Sequence, residues 1–166
     1  DMEDYLFTNL LDTTCDSFMA QTSDEICRRV GITREEADNF AVISHSRTEN
    51  SVDNGVWAEE IVDIETADGL VTATEEDHFV RGTSNESLAA LRTHFGPTSL
   101  VTAGNASGVV DGAAAVVLKS ASQAASDGDN PIARIVNWGV VGLEPAIMAY
   151  GPVPASKLAL ERAGMS

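Results

Sequence analysis

Apolar positions in the first twenty residues follow no clean period. The pattern sharpens at Thr22-Ser23-Asp24-Glu25, where a hydroxyl followed three residues later by a carboxylate predicts a helix start with Thr22 as its cap. Ile26 and Val30 continue that helix, and Gly31 is its predicted stop. A second box opens at Thr33 with Glu36. Behind it Ala37, Phe40, Ala41 and Ser44 recur at helical spacing, predicting a helix to about residues 50–54, before Gly55. From Trp57 the period shortens. Ile61–Glu65 alternates, Ala67-Asp68-Gly69 offers a turn, and Leu70-Val71-Thr72 returns as the partner strand of a hairpin. Glu75-Glu76-Asp77 reads as an exposed acidic turn, and Ser87–Arg92 as one short helical stretch. The run Ala113–Leu118 fits a buried strand or a helix equally on periodicity. Ser120–Ser126 predicts a short helix, residues 127–131 a turn, and the β-branched run Ile132–Val141 a central strand. Gly151-Pro152-Val153-Pro154 then punctuates the chain before a helix over Ala155–Ala163. Helices alternating with apolar strands make this an α/β chain.

The 166 residues suit one ordinary domain, and an apolar share of 43% suffices for a packed core. The charge changes the picture more. Ten basic against 26 acidic residues leave a formal net charge of -16. Such a field repels nucleic-acid phosphates and anionic membranes, so neither is an expected partner. Lys119 and Lys157 are the only lysines, and an acidic, lysine-poor surface suggests adaptation to high salt. Cys15 and Cys27 have no histidine at metal-ligand spacing and read as two reduced thiols; no metal site is expected. The first residues lack a basic-then-apolar leader pattern, and no apolar run approaches membrane-spanning length, so a cytoplasmic protein is expected.

One segment concentrates the chemistry. Residues 101–118, from Val101-Thr102-Ala103-Gly104-Asn105-Ala106-Ser107-Gly108 onward, hold three glycines, many alanines and one charge, Asp111. Small side chains let a backbone approach a ligand or another backbone closely. The segment resembles the Thr-Ala-Gly-Asn-Ala-Ser-Gly…Asp-Gly-Ala signature of the thiolases, the acetyl-CoA C-acyltransferases. Further stretches resemble that family in the same order: Met19-Ala20-Gln21-Thr22-Ser23-Asp24-Glu25, Ile32-Thr33-Arg34-Glu35 through Phe40-Ala41, Ser44-His45-Ser46-Arg47 (Ser-His/Gln-x-Arg/Lys in the family), Glu60-Ile61-Val62, Ser87–Leu91 and Tyr150-Gly151-Pro152-Val153-Pro154-Ala155.

The resemblance implies a partial thiolase-like fold. Residues 1–97 would be the loop domain of the N-terminal half, 98–119 the end of that core half with Ala113–Leu118 as its last strand, and 120–166 the start of the C-terminal half. It implies acyl transfer between coenzyme A and acetyl-CoA, by Claisen condensation or thiolytic cleavage of 3-ketoacyl-CoA. Coenzyme A or acyl-CoA enters as substrate, with no permanently bound cofactor, in a homodimer or homotetramer. The family's nucleophilic cysteine would lie upstream of Asp1, and its Asn-Glu-Ala-Phe, Gly-His-Pro and Cys-x-Gly motifs after Ser166; both ends read as cut. Cys15, Cys27, His45, His78 and His94 match none of the catalytic positions, so no catalytic residue is assigned. What carries over is a coenzyme A pocket: Leu10 and Met19 on the pantetheine channel, Ser87 at the nucleotide end, Phe95 on the apolar wall, Ala103 and Ser107 beside pantetheine.

Two departures matter. Acetoacetyl-type biosynthetic thiolases carry Tyr-His-Met-Gly where this chain has Ser17-Phe18-Met19-Ala20, which favours a degradative or broad-chain subclass. Val80 stands where an arginine often reaches the nucleotide, leaving Arg28, Arg29, Arg81 and Arg92 to meet its phosphates. Beside an acyltransferase segment stand two other readings: a non-catalytic thiolase-like subunit that binds acyl-CoA or acts as a scaffold, and an unrelated acidic α/β binding module.

Overall fold

The computed structural model describes residues 5–71, 76 and 78–166, with the side chains of residues 5–7 and 71 left aside. The chain opens with α1 (Tyr5–Leu10), which runs straight into a tight hairpin of β1 (Leu11–Asp12) and β2 (Ser17–Phe18). Leu11 pairs with Phe18 and Asp12 with Ser17. The turn between them is set by the Asp12 carboxylate, which accepts from the Thr14 N–H at 2.8 Å, and by Asp16 at φ 51°.

α2 (Met19–Val30) leaves β2 without a break, four residues earlier than the Thr22 cap predicts. The hairpin holds Phe18 extended, and the Gln21 side chain accepts the Phe18 N–H at 2.9 Å. The cap function is thus met without a hydroxyl residue at the start. Thr22 lies inside the helix, buried, with its hydroxyl donating to the Met19 carbonyl at 2.7 Å. At the other end Gly31 takes φ 78°, as its place after Val30 predicts. α3 (Arg34–Asp53) has the predicted Thr33–Glu36 box: the Thr33 hydroxyl accepts from the Glu36 N–H, and the Glu36 carboxylate accepts from the Thr33 N–H at 2.8 Å.

Past a 3-10 turn at Val56–Glu59, β3 (Ile64–Thr66) and β4 (Gly69–Val71) form the second hairpin, with Thr66 opposite Gly69. The strand over Ile61–Glu65 is shorter than predicted, since residues 61–63 form no ladder. Thr72, Glu75 and Asp77 lie outside the described residues. α4 (Asn85–Ala89) starts two residues before the predicted stretch, capped by Ser84, and ends before Leu91 and Arg92. α5 (Ala121–Asp127) has Ser120 as its cap, and α6 (Pro152–Ala163) follows a 3-10 stretch at Pro145–Tyr150.

The packing is built from these helices. α2 lies against Pro145–Tyr150, and α3 against α4. Buried side chains are few among the described residues, and most of them are polar: Ala41, Leu88 and Ala124 stand with Thr22, Asp38, Ser99 and Thr102.

Two expected strands are not realised. Ala113–Leu118 is neither helix nor ladder, and Val116, Val117 and Leu118 are exposed. Ile132–Val141 likewise pairs with no strand among the described residues, leaving Ile132, Ile135, Val136 and Val140 exposed. A strand is stable only beside a partner. The second run lies instead along α6. A Cβ on Gly139 would strike the Ala155 carbonyl oxygen and meet the Ala159 nitrogen at 3.1 Å, so glycine permits the close approach. Arg162 fastens the same run by donating to the Trp138 carbonyl at 3.0 Å.

Candidate functional site

The signature loop is held from behind. Thr102, 1% exposed, sits at its root, and its carbonyl accepts from the Asn105 and Ala106 N–H groups at 3.3 and 3.1 Å. Asn105 closes the turn: its amide oxygen accepts the Thr102 N–H at 2.8 Å, and its amide nitrogen donates to the Leu100 carbonyl and to Asp38 of α3, each at 2.9 Å. Leu100 is tied in turn to α2, its N–H donating to the Asp24 carboxylate at 2.8 Å.

His45 of α3 holds Gly104, the residue before Asn105. Its Nδ1 accepts the Val80 N–H at 3.2 Å, which leaves Nε2 as the N–H that donates to the Gly104 carbonyl at 3.0 Å. Both ring nitrogens are therefore committed. Gly104 also abuts α4: a Cβ there would collide with the Leu88 methyl and come within 2.7 Å of Leu91 Cδ1. These anchors all act on one side of the loop, and Ala103 and Ser107 face solvent. Ser107 makes no hydrogen bond among the described residues.

The remaining candidates fall into two groups. Leu10 and Met19 sit at the adjoining ends of α1 and α2, because the Leu11–Phe18 pairing brings those ends side by side. Phe95 joins them through Phe18, whose ring stacks on it with centroids 6.1 Å apart. Phe95 also lines a cleft of about 600 Å³ with Ser17, Asp24, Arg28, Ser99 and Leu100. The second group is Ser87 with the signature loop, joined by the contact of Leu88 with Gly104. The Ser87 hydroxyl is occupied within its own helix cap, donating to the Ser84 carbonyl at 2.8 Å and accepting the Ser84 N–H at 3.0 Å.

Charge around the site is arranged in pairs. Glu25 accepts from both Arg28 and Arg29, which hold its carboxyl down to about 2. Arg29 reaches on with a two-pronged bond to Glu144, both contacts 2.7 Å, tying α2 to the segment before Pro145. That arginine depresses Glu144 below the usual carboxylate range. Arg81 is engaged by Asp53 at 2.9 Å. Of the four arginines expected to meet phosphates, Arg92 alone has no ion pair among the described residues. The Cys27 thiol is pushed up by burial and by nearby Asp24, the wrong direction for a nucleophile. No cluster of metal-ligating side chains occurs among the described residues.

Asp38, His45 and Asn105 were invisible as a unit in the sequence, being up to 67 positions apart. The Arg34–Asp38 spacing of four and the Asn105 in the signature were the only local hints.

Comparison with known proteins bears on this arrangement. The structure superposes on the crystal structure of the Bacillus anthracis acetyl-CoA acetyltransferase with TM-score 0.89 at 34% identity, over 100% of this chain and 43% of that one. Against human mitochondrial 3-ketoacyl-CoA thiolase in complex with CoA the TM-score is 0.85 at 38% identity, over 99% and 41%. The family model described as "Thiolase, N-terminal domain" matches residues 1–122. The chain belongs to the thiolase family, and the fold is the expected α/β thiolase-like one in part. Among curated relatives, an acetyl-CoA acetyltransferase of Rhizobium meliloti (strain 1021) is 41% identical over 173 aligned positions, 99% of this chain and 44% of the relative. A 3-ketoacyl-CoA thiolase of Erwinia tasmaniensis is 46% identical over 152, covering 89% and 39%. The chain thus spans less than half the length of these relatives. The reading as an unrelated acidic binding module is overturned.

Proposed function

We propose that this chain is the coenzyme A-binding portion of a thiolase. The acyltransferase exchanges acyl groups between coenzyme A and acetyl-CoA, by Claisen condensation or by thiolytic cleavage of 3-ketoacyl-CoA. The observation that carries this reading is the one-sided anchoring of the signature loop. Pantetheine is a narrow chain of amides, and a braced loop with a methyl (Ala103) and an uncommitted hydroxyl (Ser107) on its open face suits it. Met19, Leu10 and Phe95 supply apolar wall; with Phe18 stacked on Phe95, that wall lacks the histidine of the biosynthetic pattern and favours a broad-chain or degradative substrate. Ser87 marks the nucleotide end, and Arg92, just beyond α4, is the cation available to a phosphate. No cofactor is permanently bound; coenzyme A is substrate.

The chain supplies anchoring and orientation rather than the nucleophile, in line with the raised Cys27 thiol. We place the protein in the cytoplasm, as a homodimer or homotetramer; no helix among the described residues is long and apolar enough to cross a membrane. The non-catalytic acyl-CoA-binding or scaffold subunit is the second reading. Thiolysis of acetoacetyl-CoA by the full-length protein, with CoA binding followed by calorimetry, tests both. Turnover that Ala103→Trp cripples by raising KM at least about tenfold supports the first. Binding without turnover supports the second. Unchanged kinetics in Ala103→Trp removes the loop from the site.

A further inference from the structure

We propose that Asp38, clamped by Arg34, is a positioning residue that sets the coenzyme A-contacting face of the signature loop through Asn105. This rests on the functional reading above. Asp38 is 4% exposed, yet each of its carboxylate oxygens has a specific donor. Oδ2 takes the Arg34 Nε–H at 2.7 Å, and Oδ1 takes the Asn105 amide at 2.9 Å. Arg34 is itself fixed, because its Nη2 donates to the carbonyls of Leu88 and Leu91 at 2.7 and 3.2 Å. One guanidinium and one carboxylate therefore join α3, the end of α4 and the loop.

The position of this relay is what gives it a role beyond stability. Asn105 lies between Ala103 and Ser107 in sequence, and its side chain is engaged with Thr102, Asp38 and Leu100 while those two are exposed. Its amide oxygen fixes the Thr102 N–H, and through it the turn that presents Ala103. Leu88, whose carbonyl holds Arg34, is the next residue after Ser87. The same Arg34 thus references the nucleotide-end residue and, through Asp38, the pantetheine-side residues. A ligand that spans both is measured against one rigid ruler. A buried carboxylate with both oxygens satisfied is costly to disturb, so the spacing is held firmly.

The test uses the full-length protein and CoA itself, titrated calorimetrically, with the melting temperature of every variant measured alongside. Asn105→Ala removes the donor to Asp38 and the acceptor for Thr102, and is expected to weaken CoA binding about tenfold or more. Asn105→Asp sets two carboxylates against each other and weakens it further. The swapped pair Asp38→Asn with Asn105→Asp restores one donor and one acceptor across the contact and still offers Arg34 an oxygen, but its carboxylate cannot donate to the Leu100 carbonyl; it is expected to bind CoA more tightly than Asn105→Asp alone and more weakly than wild type. Ser120→Ala removes the cap of α5, which shares no hydrogen bond with the relay. It is expected to lower the melting temperature while leaving the CoA affinity in place. If Asn105→Ala does not fold, Asp38→Asn carries the measurement: its single amide oxygen cannot serve both Arg34 and Asn105, so a weakened CoA affinity is expected, and an unchanged one in the folded variant overturns the relay.

A wild type that fails to bind CoA sinks the functional reading and this inference with it. A wild type that binds, with a folded Asn105→Ala that binds equally well, sinks this inference alone. So does a Ser120→Ala variant that loses affinity in step with its stability, since the relay would then act only through the fold.

Discussion

Gly104→Ala examines whether the loop is held as tightly as its contacts imply. Gly104 does not have the positive φ that favours glycine, so an alanine there meets no backbone strain. Its cost is steric. The new methyl would lie 2.7 Å from Leu91 Cδ1 and collide with the Leu88 methyl, where carbon–carbon contact normally begins at about 3.5 Å. Leu91 is 37% exposed and can withdraw, but Leu88 is 3% exposed and cannot. Overpacking of this kind costs about 1–3 kcal/mol, offset in part by the roughly 0.4–1 kcal/mol that alanine gains over glycine in the unfolded chain. A net loss of about 1–2 kcal/mol corresponds to a fall in Tm of about 2–8 °C, measured by scanning calorimetry. Leu88→Ala alone should cost about 2–5 kcal/mol. The two together should cost less than their sum by at least about 0.5 kcal/mol, because the methyl introduced at position 104 enters the space Leu88 vacates. A neutral or stabilising Gly104→Ala, or strict additivity in the double variant, would refute the claim that Leu88 presses on the loop.

Other outcomes follow from the same structure. His45→Gln should retain both bonds, since a glutamine side chain offers one donor and one acceptor, whereas His45→Leu should lose about 1–3 kcal/mol and expose the Gly104 carbonyl; Tm comparison of the two decides it. The Glu25–Arg29–Glu144 contact contributes above pH 4.5, the ordinary value for both carboxylates, and that contribution is lost as pH falls toward about 2, where Glu25 itself protonates in the fold. The Tm difference between wild type and Arg29→Met should accordingly shrink across that window; a difference constant with pH would contradict it. These residues taken alone should bind a hydrophobic dye and self-associate, because Val116, Val117, Leu118, Ile132 and Val140 are bare; a monomeric, dye-silent, cooperative melt would count against the exposed apolar runs.

What the sequence disclosed is what short-range chemistry decides. The Thr33–Glu36 box, the glycine stop at Gly31 and the Ser120 cap each depend on residues within four positions. Thr22 misled because its hydroxyl found a carbonyl within the helix while a hairpin supplied the true start, and hairpin pairing is not legible from two-residue strands. The apolar runs at 113–118 and 132–141 have strand composition, but composition does not bring a partner strand. At the site, the exposed face of the loop was readable from its small residues. Its support was not, because Asp38, His45 and Leu88 reach it from 16 to 67 residues away.

The paired basic side chains have a consequence for how this protein meets salt. Arg28, Arg29, Arg34, Arg81 and Lys119 are already claimed by carboxylates, and Arg29, Arg81 and Lys119 by two each. The acids left over far outnumber the remaining basic residues, and in a chain of net charge -16 it is dissolved cations that balance the excess. Folding draws those charges together, so it takes up cations, and salt behaves as a weak ligand of the native state. A polyphosphate ligand approaching the same surface meets a repulsive field in dilute buffer. Added salt lowers that barrier, so coenzyme A should associate faster as ionic strength rises, the reverse of what a basic nucleotide site does.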